Sequence, residues 1–310
     1  MRVAPTVLIL LMLSAHCAAA QGARAPVESV TVTGLKDAPR AVVDRFVHAF
    51  AAPSYLTGKM ARWENGVCPQ TAGLAPKFAA FISQRVRTLA AQVGAPVEKN
   101  SSCRANIEIA FTTTPQALLD TVRKDHKNYL GYVSGPAQAD KVAAVKYPIQ
   151  AWYMTATKDL DGEEDVDSST PSPVPIRMPC PTCNPPYIDM YISGGAKKVT
   201  GGRLKDGLRT VFRHAFIVAY PTKLTDYEVG TLADYIAMLA LTQLNSLEVC
   251  QQPLASIINL LAKDCPNPRS QLSESDLGYL KGLYDMSADG NLRMQQDGIA
   301  YQMEQSLKSK

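Results

Sequence analysis

The stretch that most constrains this chain is Thr231 to Leu247, TLADYIAMLALTQLNSL, the one long segment that is apolar on nearly every side. At about 100° per residue, Leu232, Ile236, Leu239 and Leu247 fall on one stripe while Met238, Leu241 and Leu244 cover much of the opposite side, the pattern of a helix enclosed all round. Such a helix has to sit at the centre, and the rest of the chain must supply its walls. The Thr231-x-x-Asp234 spacing predicts a capping box, with Asp234, the only charge in the segment, holding backbone N–H groups at the helix start.

The N-terminus sets the compartment. Arg2, the apolar run Val3 to Leu13, and Ala18 to Ala20 before Gln21 follow the charged, apolar, small-residue order of a secretory signal, so residues 1–20 are expected to be removed. No later segment is a good transmembrane span, which makes a secreted or periplasmic protein the expectation. After the leader, Cys68, Cys103, Cys180, Cys183, Cys250 and Cys265 remain. An even set in an exported chain implies disulfides, and proximity pairs Cys68 with Cys103, Cys180 with Cys183, and Cys250 with Cys265. The 32 Lys and Arg against 28 Asp and Glu form no long basic block, which argues against nucleic acid as the partner.

Periodicity predicts an α+β chain with a twisted mixed sheet, the central helix, and a C-terminal helical segment. Val27 to Gly34 alternates like a strand and Ala38 to Phe50 reads as a helix carrying His48. Lys59 to Cys68 reads as a strand. A helix then opens at Pro76, carries Phe78, Ile82, Val86, Leu89 and Val93 at helical intervals, and closes at Gly94. Ala105 to Phe111 is a strand, Thr114 with Pro115 starts a helix to about Arg123, and Ile149 to Thr157 is a strand. Residues 21–248 form the main α+β domain, and 249–310 pack on it as helices, one of them opened by the Ser273-x-x-Asp276 cap.

Asp159 to Pro186 is acidic and then proline-rich, and reads as an inserted loop with little to bury. Its Asp159, Asp161, Gly162, Glu163 and Asp165 resemble part of a calcium loop whose first and twelfth positions fall on Thr157 and Ser168; the plain reading is a solvated turn. Asp285 to Gln296 fits that pattern better, but Gln296 lacks the bidentate carboxylate, so a glycine-closed helix turn is the reading and a calcium loop the alternative. Cys180-Pro-Thr-Cys183 has redox spacing, yet Pro179 and Pro181 precede no helix, so a local structural disulfide is expected. Tyr187 to Ile192 and Leu208 to Tyr220 read as a long hairpin whose tip carries Lys197, Lys198, Arg203 and Lys205. Alternation places His214 on the side of Phe212 and Phe216.

The succession of strand and hairpin, buried helix, Ser256-Ile-Ile-Asn259 and LSESDLGYLKGLYD resembles the C-terminal half of zincin metallopeptidases and of secreted zincin-like proteins. In those enzymes the helix carries His-Glu-x-x-His, two imidazoles one turn apart that hold zinc beside the Glu that activates its water. On that frame the two His positions are Ala233 and Ala237, the Glu position is Asp234, the glycine position Ala240 and the third His position Gln243. The resemblance therefore implies the scaffold without zinc or other cofactor: an exported, noncatalytic protein that binds a protein or peptide ligand or serves structure. Two other classes remain open at this stage: a hydrolase centred on Asp234 with His214 or His126, and a thiol-disulfide protein using Cys180 and Cys183.

Overall fold

A computed structural model describes residues 40–100, 102–167, 173–193, 197–247, 254–262, 265 and 268–308. The expected leader, the Val27 to Gly34 strand and Cys250 lie outside them. Strand β8 (Arg209–Ala219) runs through the middle of a mixed sheet. On one side it pairs in parallel with β1 (Ala61–Arg62) over Thr210 and Val211, and with β3 (Ile107–Phe111) over Ala215 to Ala219. β3 in turn pairs in parallel with β2 (Pro69–Ala72). On the other side β8 lies antiparallel to β4 (Ile149–Lys158), whose last residues carry the short β5 (Glu164–Val166).

β3 and β8 are buried on alternate positions that serve two different cores. Ile107, Ile109, Phe111, Ala215, Ile217 and Ala219 face the larger core, while Phe216, Val218 and Trp152 face a smaller one under α3 (Pro115–Asp125) and the 3-10 turn Lys127–Leu130. Over the larger core lie α2 (Pro76–Val93) and α5 (Val229–Leu241), with α1 (Arg40–Phe50), α6 (Glu274–Asp285) and α7 (Leu292–Lys308) completing the layer. The remaining helix, α4 (Pro136–Val142), sets Val142 beside the smaller core. α2 starts with Pro76 in its first turn and ends at Gly94, whose φ of 83° is the left-handed geometry that glycine tolerates and whose N–H caps the Ala90 and Ala91 carbonyls.

α5 is the enclosed helix that its sequence requires, with every residue from Thr231 to Leu241 buried. It ends at Leu241, six residues short of Leu247. The C-terminal carbonyls of a helix lack partners within it. Here aromatic side chains satisfy them: Trp63 Nε1 donates to Ala240 O, Tyr284 OH to Leu241 O, and Tyr153 OH lies 2.7 Å from Leu239 O and 3.0 Å from Thr242 O. The predicted cap on α6 is present, Ser273 and Asp276 forming a full capping box. Asp276 also accepts from Ser256 Oγ and Ile257 N, tying α6 to the 3-10 turn Ile257–Leu260.

Several expectations are corrected. The strand expected over Lys59 to Cys68 is only the two-residue β1. Thr114 makes no side-chain cap on α3. Tyr187 to Ile192 does not pair with β8. It belongs to β7 (Tyr187–Ser193), which forms a separate two-stranded sheet with β6 (Pro173–Pro179). The segment 159–186, read as an insert that buries little, thus contains two strands and the buried Asp167, whose carboxylate takes the Thr155 and Thr157 hydroxyls. Much of the basic tip is neutralised: Lys197 pairs with Asp165, Lys198 with Asp161, and Lys205 with Asp289.

Candidate functional site

Asp234 does not cap α5. The helix begins at Val229, after Glu228, so Asp234 lies a full turn inside it. Its side chain is 6% exposed, with Oδ1 2.5 Å from Arg85 Nε on α2 and Oδ2 accepting from the Leu272 N–H at 3.1 Å. Both oxygens are committed to holding α2, α5 and the approach to α6 together. Ala233 and Ala237 have no exposed surface, so the helix face that would carry zinc ligands in a metallopeptidase is closed inside the core.

His214 lies on the opposite side of the sheet. The β4–β8 register slips between Met154 and Thr155, whose partners are His214 and Phe212, leaving Arg213 as the extra residue of a bulge. A bulge breaks the two-residue alternation. Phe212 therefore packs with Trp63 and Tyr153 in the larger core, while His214 shares the side of Phe216 and stacks on Tyr129 at 3.8 Å. Tyr129 stacks in turn on His126, 5.1 Å away. Burial pulls the His214 pKa below its ordinary value, Glu108 pulls it up, and His126 adds a smaller downward push. The fold thus brings the two candidate histidines to one stack and keeps both from Asp234, which is bound to Arg85.

The cysteines pair where described. Cys68–Cys103 and Cys180–Cys183 are disulfides, and Cys265 is disulfide-bonded. Cys180 and Cys183 sit in the turn between β6 and β7, with no helix N-terminus to stabilise a thiolate. Of the carboxylates in the calcium-like segments, Asp159 accepts backbone N–H groups from Asp161, Glu163 and Lys198, and Asp289 accepts from Ser287. Among the described residues no cluster of three His, Cys, Asp or Glu side chains is placed to hold a metal ion.

Among the described residues a groove of about 430 Å³ runs along the outer edge of β4. β5 covers β4 only from Ala156 to Lys158, so Ile149 to Thr155 have no strand partner on that side among the described residues. Thr155 O accepts from Asp167 N on this edge. Since alternate residues of a strand direct their backbone groups to the same edge, Tyr153 and Ala151 present theirs outward too. Gly131 bounds the free stretch. At its φ of 86° the chain passes so near β4 that a Cβ there would lie 2.7 Å from Tyr153 O. Ala151 is left as the accessible edge amide and carbonyl.

One wall is Tyr132 stacked on Tyr55 at 5.2 Å, with Tyr55 68% exposed. The other is Gln243, Leu244 and Asn245, fixed by the Ala51–Leu244 bridge and the Asn245 N–H to Phe50 O bond. Trp152 and Gln150 also line it. Gln150 spends its side chain on Lys146 N and Ala144 O, holding the wall instead of facing a ligand. Sequence reasoning missed this site because β4 alternates like any strand, and nothing local reveals which strand lies at an edge.

No family model, curated protein or solved structure matches the chain.

Proposed function

We propose that this is an exported, noncatalytic binding protein on a zincin-like scaffold, and that it receives a short extended peptide in the groove beside β4. The observation that carries the reading is the Ala151 edge, without a strand partner among the described residues, between an aromatic wall and a polar one. An exposed strand edge supplies backbone hydrogen bonds to an added strand, and the flanking walls select side chains. Gly131 limits the pairing to a short stretch, so affinity rests on aromatic contact with Tyr55 and Tyr132. Zinc chemistry has no support at α5, where Ala233 and Ala237 supply methyl groups where ring nitrogens are needed. Paired disulfides favour an oxidising compartment, and no helix among the described residues is long and apolar enough to cross a membrane.

The test is selection of binders from a phage-displayed library of random heptapeptides. Selected peptides should bind the wild-type chain, and Ala151→Pro, which deletes an edge-facing N–H, and Tyr132→Ala should each weaken them by about tenfold, the loss expected for one good contact. Mass spectrometry should recover the peptides uncut. Equal binding to both variants would sink the groove assignment, and cleavage would sink the noncatalytic one.

A further inference from the structure

On the other side of β8 from the peptide groove, the sheet has a gap. β1 pairs with β8 only at Thr210 and Val211, and β3 takes over only at Ala215. Between them lies the bulge at Arg213. A cavity of about 310 Å³ occupies this place, lined by Asn65, Arg104, Asn106, Tyr129, Arg213 and His214 among others. Bulges re-aim side chains, and this one turns the consecutive residues Arg213 and His214 toward one cavity.

His214 is 4% exposed, and neither ring nitrogen has a hydrogen-bond partner among the described residues. Nε2 lies 3.4 Å from Glu108 Oε1, an ion-pair approach without hydrogen-bond alignment, and Nδ1 has no partner. Buried polar groups are ordinarily satisfied, so an orphaned imidazole at the wall of a cavity calls for a ligand. The cavity's chemistry says which kind. Arg104 is exposed and meets no acceptor among the described residues, and Arg213 keeps N–H donors beyond the one given to Glu164.

We propose that the pocket beside the Arg213 bulge binds a small oxyanion, a carboxylate or phosphate group, between Arg104, Arg213 and the protonated ring of His214. Guanidinium groups match such anions with parallel N–H donors. The groups facing His214 are Glu108 from β3, Tyr129 and His126 from the end of α3 and the turn after it, Met154 from β4, and Arg213 on its own strand. Glu108 lies outside the cavity lining and can accept from one N–H of the imidazolium while the anion accepts from the other. Binding selects the protonated ring, so affinity rises as pH falls and each anion bound takes up a proton.

The experiment follows the histidine ring resonances of the full chain through a pH titration, with inorganic phosphate, with succinate, and with neither, at constant ionic strength set by chloride. Phosphate, succinate or both should move the His214 midpoint upward by about one pH unit, as a tenfold preference for the protonated state requires. Response to phosphate alone assigns a phosphate-bearing ligand, and response to succinate alone a carboxylate. Arg104→Gln, a change at an exposed side chain, should weaken the anion by roughly tenfold, the loss of one charge-assisted pair, so that about tenfold more anion is needed for the same movement. A His214 midpoint unmoved by both anions across the millimolar range overturns the proposal, as does a movement that persists unchanged in Arg104→Gln.

Discussion

Replacing Asp234 by Ala separates an ion-pair role from a cap role. The substitution leaves the part-buried Leu272 N–H without its acceptor, which costs about 1 to 3 kcal/mol. It also strips Arg85 of its carboxylate. Removing one member of a fully buried pair costs about 3 to 5 kcal/mol, but the Arg85 side chain is 34% exposed and water can reach it. That part falls to roughly 1 kcal/mol after the discount for solvent screening. The expected total is about 2 to 4 kcal/mol, above the 0.5 to 2 kcal/mol of a lost cap. Urea denaturation of the wild type, Asp234→Ala, Arg85→Gln and the double variant reads both the total and the coupling. The coupling should be about 1 kcal/mol. Zero coupling would refute the ion pair as the role of Asp234, because a capping carboxylate would not know whether Arg85 is present.

Alkali should unfold the protein through its buried phenols. Burial raises the pKa of Tyr235 and Tyr279, 1% and 0% exposed, above the ordinary value. The unfolded chain ionises them at about pH 10 and the folded chain does not, so their stabilisation is complete below that pH and is lost above it. Part of the tyrosinate absorbance should therefore appear only together with loss of circular dichroism; complete tyrosinate formation in a still-folded chain would contradict this. Asp167→Ala should cost about 1 to 3 kcal/mol, because it orphans the Thr155 and Thr157 hydroxyls; a melting temperature within a degree of wild type would restore the free-loop reading of 159–186. Replacing Cys68 and Cys103 by Ser opens a cross-link of sequence separation 35, worth about 3 to 4 kcal/mol on the chain-entropy account. Denaturant unfolding measures the loss, and equal stability would show that the bridge constrains little.

What the sequence made legible is local. Pro76 and Gly94 bound α2, Ile107, Ile109 and Phe111 alternate in β3, and Ser273 with Asp276 opens α6, each by contacts within a few residues. The enclosed nature of α5 was equally readable, because a helix without a polar face has one solution. Apart from the absent Thr114 cap and the short β1, the misreadings turn on partners outside the segment that was read. Thr231 and Asp234 have capping spacing, but Arg85 and Leu272 decide what the carboxylate does. Prolines and acidic residues disguised β5 and β6, which are set by pairing with β4 and β7. The bulge at Arg213 is likewise invisible in RTVFRHAFIVA, since it is defined by the register of β4.

The central position of β8 also dictates an order of events. It pairs directly with β1, β3 and β4, all of which precede it in the chain. Until Arg209 to Ala219 has been synthesised, β2 with β3 and β4 with β5 are separate fragments with no common sheet, and the larger core has no floor. Contacts of such long sequence separation make assembly slow, since loop closure precedes any reward. A chain built this way cannot complete its sheet before its own final third has been made, so the earlier strands are partners that wait for their centre.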